Sequence, residues 1–104
     1  MNRKHSNTPE INGLVENIVP LVKHTQQLAR QAAILYSREI DAIIQDQESD
    51  SRRIEHCLDG ILDFCFDEKM LQLFKKLCRY YYKINPAATS EYVLTYKDMW
   101  DNGN

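Results

Sequence analysis

The chain is poor in the residues that interrupt helices: 3 glycines and 3 prolines in 104 positions leave little of it for turns. Nowhere do apolar and polar residues alternate in the strict period of two that marks a half-buried strand, so a sheet-based fold is excluded. Cys57, Cys65 and Cys78 are odd in number and include no CxxC pair, which argues against a disulfide framework and for free thiols in a reducing cytoplasm. No apolar run approaches the roughly 20 residues that cross a bilayer. The cations of "MNRKHSNTPE" have no apolar segment behind them, so no secretory leader is expected.

Catalytic signatures are missing too. There is no phosphate-cradling glycine loop, no nucleophile elbow and no evident Ser/His/Asp or Cys/His grouping. His5, His24 and His56 stand alone, without the Glu-x-x-His spacing of di-iron bundles. Asp59, Asp63 and Asp67 recur every four residues, yet a hard cation wants six or more oxygens from a shaped loop. They read as a solvated face. The expectation is no enzyme, no cofactor and no metal, with the cysteines serving as small core residues.

A helical pattern fills the space these absences leave. The composition, 43% hydrophobic and 27% charged, suits one globular domain with one core. Residues 1–7 read as a flexible tail and 8–104 as a single helical domain. Thr8, Pro9 and Glu10 supply a capping hydroxyl, a first-turn proline and an acid near the positive helix end. Behind them Ile11, Leu14, Val15, Ile18, Leu21, Val22, Leu28, Ala29, Ala32, Leu35, Tyr36 and Ile43 keep the spacing of an amphipathic helix to about residue 46. Pro20 removes one backbone bond and crowds the carbonyl four residues earlier, so the helix is kinked or broken there, although the stripe keeps its phase.

The polar stretch "QDQESDS" at 45–51 is a break, and Ser49, Asp50 or Ser51 can cap the next helix. This second helix, over 52–65, would bury Ile54, Cys57, Leu58, Ile61, Leu62 and Cys65. A third, capped by Asp67, would run over 68–84 with Met70, Phe74, Leu77, Cys78, Tyr81 and Ile84 inside. Asn85 and Pro86 end it and start a fourth over 86–101. The fold class is therefore all-α: a small bundle of about four helices, the first long.

Length gives one more inference. A helix over 9–46 would extend about 57 Å, whereas a domain of this size has a radius of gyration near 13 Å. Either the first helix folds back at Pro20, giving five helices in a monomer, or it projects and needs a partner for its apolar stripe. Self-association is the simplest source of one.

The net charge of −2 conceals segmentation: residues 39–68 hold ten acids and two arginines, whereas 69–83 hold five cations and no acid. Within the latter, "CRYYYK" places three tyrosines in succession. At about 100° per residue Tyr81 falls among the core positions, while Tyr80 and Tyr82 flank a cationic face of Lys69, Lys75, Lys76, Arg79 and Lys83. Cations edged by aromatics suit phosphate contact and base stacking. A solvated face answering the acids of the second helix is the plainer reading, and the chain is not basic overall. In the last helix Tyr92, Tyr96 and Trp100 form an aromatic stripe beside Val93 and Met99, closing the core or meeting a partner. The functional expectation is a non-catalytic protein–protein interaction module that self-associates through its first and last helices, with Leu28, Leu35, Tyr92, Tyr96, Met99 and Trp100 as the candidate surface. The alternative is a nucleic-acid-associated accessory protein using the basic face of 69–83. No membrane role is expected.

Overall fold

Three short side chains set where the later helices begin. Asp50 accepts a hydrogen bond from the Arg52 amide, Asp67 from Met70 and Asn85 from Ala88, each serving an amide that has no partner within its own helix. The computed structural model describes the backbone of residues 3–101 and, on it, the side chains of 13 and 16–101. It contains α1 (Arg3–Gln45), α2 (Ser51–Leu62), α3 (Glu68–Tyr82) and α4 (Pro86–Trp100), and no strand among the described residues. The architecture is the expected small all-α bundle.

Two expectations about α1 are corrected. Its helix begins at Arg3, so Thr8 and Pro9 lie inside it and do not mark its start. It also runs unbroken through Pro20, which excludes the five-helix alternative. The surroundings explain the tolerance. Every described side chain from Glu16 to Leu28 is exposed, so water can serve the carbonyl that Pro20 leaves without a donor.

α1 ends in a Schellman motif. Gln47 takes the left-handed conformation (φ 55°), its amide donates to Ile44 and the Glu48 amide to Ile43. The corner is then fixed by charge. Arg53 donates to Glu39 at 3.1 Å and to Glu48 at 3.0 Å, joining α1, the turn and α2. The Asp50 amide, first among the causes, and Arg53 hold the Glu48 carboxyl below the usual glutamate range.

α3 is the centre of the bundle and packs against each of the other three helices. The core joins Ala33, Ile40 and Ile43 of α1 to Ile54, Leu58 and Ile61 of α2 and to Met70, Leu77 and Tyr81 of α3. All six residues expected inside the second helix are buried, although α2 stops at Leu62 and Cys65 sits in the turn beyond it. Ala33, Ile40 and Leu73 are core residues that the expected pattern missed, and Ile84, expected inside, lies beyond the end of α3 and is exposed. A glycine permits one close approach. A Cβ on Gly60 would collide with the Tyr36 hydroxyl, so the absence of a side chain there on α2 lets the tyrosine of α1 lie across it.

Candidate functional site

α1 is too long for the bundle it joins. The molecule measures 66 × 28 × 19 Å with a radius of gyration of 18.8 Å, against about 13 Å for a compact chain of this length. Burial on α1 starts at Ala29 and continues through Ala33, Ile40 and Ile43. Before that point large apolar side chains face solvent: Ile18 is 51% exposed and Leu21 64%.

Most apolar residues of α1 fall on two registers, with the exposed Val19 and Ile34 on neither. Taking Ala33 as 0° and about 100° per residue, the bundle-facing set Ala29, Ala33, Tyr36, Ile40 and Ile43 spans roughly 280° to 0°. A second set repeats every seven residues: Leu14, Leu21, Leu28 and Leu35, alternating with Ile11, Ile18, Thr25 and Ala32. A seven-residue repeat drifts about 20° per heptad around a straight helix. It therefore slides off the bundle side, which is why Leu28 and Leu35 stay exposed (Leu35 is 65% exposed) beside a buried Ala33. Leucine in one seam position and isoleucine in the alternate one is the pattern of a two-stranded coiled coil. Thr25 fits such a seam because its hydroxyl already donates to the Leu21 carbonyl at 2.9 Å. The seam positions Ile11 and Leu14 are read from sequence alone, since their side chains lie outside those described. Pro20 falls about 120° from the centre of the seam, on its solvent side.

Where α1 leaves the bundle, Leu21, Val22, Thr25 and Gln26 face Phe66 of the α2–α3 turn across an open notch of about 290 Å³. Phe66 stands 5.9 Å from Trp100 and 6.2 Å from Phe64, ring centre to ring centre. Nothing in the sequence pattern marked Phe66, an exposed aromatic in a turn; only the fold brings it to α1.

The aromatic stripe of α4 is turned largely toward its own domain. Tyr92 and Tyr96 pack partly buried against the core, Tyr96 stacked on Phe74 at 5.6 Å. The Tyr92 hydroxyl donates to Asp59 at 2.7 Å, and the Trp100 indole to the Leu62 carbonyl at 2.9 Å. Met99 is exposed and Trp100 only partly covered.

The three tyrosines of α3 go to three places. Tyr81 is fully buried and its hydroxyl donates to Glu55, Tyr80 donates to the Glu48 carbonyl, and Tyr82 is exposed. Burial first, then the Glu55 carboxylate, pushes the Tyr81 hydroxyl above the ordinary tyrosine range, and burial with Asp59 does the same to Tyr92. The acids of α2 thus serve tyrosine hydroxyls. The cations of α3 do not pair with them as expected: among the described residues the face's one ion pair joins Lys76 to Asp41 of α1 at 3.0 Å. Lys69, Lys75, Arg79 and Lys83 are exposed, without such a partner among the described residues.

Cys57, Cys65 and Cys78 are free and buried, with thiols pushed up to about 12, about 12 and about 11 by desolvation. None is a thiolate near neutrality. His24 and His56 are exposed, and no group of three or more metal-binding side chains forms among the described residues. No helix of the described residues is long and apolar enough to cross a membrane. Comparison with known proteins finds no matching family model, no matching curated protein and no matching solved structure.

Proposed function

We propose that the protein is a non-catalytic interaction module of the cytoplasm that self-associates through the projecting part of α1, two copies aligning their leucine seams in parallel. The observation that carries this reading is the exposed seven-residue register on a helix that outruns its bundle. Ile18, Leu21, Leu28 and Leu35 are too many large apolar residues in one line to be scattered surface. A second copy supplies the matching line by symmetry. In a parallel coiled coil, isoleucine at one seam position with leucine at the other favours two strands. The outward residues Glu16, Lys23 and Arg30 keep the far side wet. In this reading Phe66 and the end of α4, with Met99 and Trp100, form the shoulder against which the paired helices emerge.

Single cysteines test the seam and its direction. Ile18→Cys should form a disulfide-linked dimer under mild oxidation, because a parallel seam sets residue 18 beside its copy. Lys23→Cys, on the outer face of the same helix, should stay unlinked. Equal linkage of both, or of neither, would overturn the parallel seam.

A further inference from the structure

The side of α4 away from α2 makes a groove with α3 that the self-association seam does not use. Its volume is about 420 Å³. Leu71, Phe74 and Cys78 of α3 and Val93 and Tyr96 of α4 form the floor. Through Val93 it continues into a shallower apolar hollow lined by Tyr82, Thr89 and Leu94. Along α3 the two together run from Leu71 to Tyr82, about 17 Å, or three turns of a helix.

Charge lies along both edges. Lys75 and Arg79 stand on the α3 side and Lys97 on the α4 side. Among the described residues none of the three is in an ion pair, although the chain as a whole is acidic. An apolar floor between two cationic edges is complementary to an amphipathic helix with an apolar ridge and acidic flanks. We propose that the α3–α4 groove binds an acidic amphipathic helix of a partner protein.

Two features favour a helix over a nucleic acid. Phe74 is buried and Tyr96 is stacked on it, which leaves little ring face for bases. The cations flank a concave apolar surface and do not form one continuous track. The occupant is a different chain, because the apolar faces of α2 and α3 are buried in this protein's own core and the exposed one of α1 belongs to the proposed seam.

The test uses the full-length protein and three labelled probes in fluorescence anisotropy. One is a peptide of about 16 residues with leucines at helical spacing and glutamates on both flanks. The second replaces the glutamates with lysines, and the third is a single-stranded oligonucleotide of about 15 nucleotides. The glutamate peptide should bind and the other two should bind at least about tenfold more weakly. Arg79→Glu combined with Lys97→Glu should weaken the glutamate peptide by about tenfold or more. Val93→Asp, at the shared point of the floor, should abolish its binding. All these positions lie on the surface of the groove, and unchanged circular dichroism and unchanged dimer mass show that fold and seam are intact. Equal binding of both peptides, tighter binding of the oligonucleotide, or indifference to the charge reversal would each overturn the proposal.

Discussion

The two halves of α1 carry the same kind of sequence and meet opposite fates. From Ala29 to Ile43 the apolar residues facing the bundle are alanine, tyrosine and isoleucine, and they are covered. From Ile18 to Leu28 the apolar residues are as large or larger, and they face water. Helix propensity does not separate the halves, and neither does periodicity. What separates them is the reach of α2 and α3, which are 12 and 15 residues long against 43 in α1. At about 1.5 Å per residue each of those helices can cover only about a quarter to a third of α1.

The contrast can be broken most forcefully in the covered half. Ile40→Ala should lower the unfolding free energy by about 2–5 kcal/mol, because it empties a fully buried site. Leu35→Ala, five residues earlier on the outer register, should cost less than about 0.5 kcal/mol in the dilute monomer. Urea titrations at low protein concentration measure both. Equal losses would mean that the two registers are not distinct.

Gly60→Ala sharpens the account of how α1 docks. In a helix, alanine in place of glycine gains about 1 kcal/mol. Here the new methyl displaces Tyr36, so the change should instead destabilise, by about 1 kcal/mol. In a Tyr36→Ala background the same substitution should stabilise by about 0.5–1 kcal/mol. A double-mutant cycle reads the reversal of sign. Trp100→Phe removes the hydrogen bond to the Leu62 carbonyl while keeping a ring beside Phe66. It should cost about 0.5–1.5 kcal/mol and fray the end of α4.

The gentlest handle is pH. The folded state holds the three thiols up at about 11 to about 12, whereas in the unfolded chain they return to about 9. Above pH 9 the unfolded state therefore binds fewer protons, and stability falls as pH rises. The thermal midpoint should be unaffected by these groups below pH 9 and should decline from there toward pH 12. At pH 8 a thiol reagent should label the native protein negligibly and label all three cysteines once it is unfolded.

Much of this fold is legible in the chain because three helices announce their own starts. Asp50, Asp67 and Asn85 are short acceptors placed just before amphipathic runs, and each does cap the helix after it. Thr8-Pro9-Glu10 is the same kind of signal and misleads, because a cap stabilises a start without preventing helix from extending before it. Pro20 misleads in the other direction: it lies inside α1 without ending it, on a stretch where water can serve the carbonyl left without a donor. The two registers of α1 blur in sequence because a repeat of seven and a helix period of 3.6 nearly coincide over a few turns. Only the direction of the bundle separates them. The tyrosine partners Glu55, Asp59 and Glu48 were not legible at all, since each hydrogen bond joins residues more than 25 apart in the chain.

The central claim is that the exposed half of α1 is a seam. Light scattering behind size exclusion, at low and at high salt, should give twice the chain mass of 12.2 kDa for the natural protein. For the Leu21→Asp, Leu28→Asp variant it should give the single chain mass with the helical signal of the bundle retained. A natural protein that is monomeric at both salts, or a double variant that stays dimeric, would contradict the account.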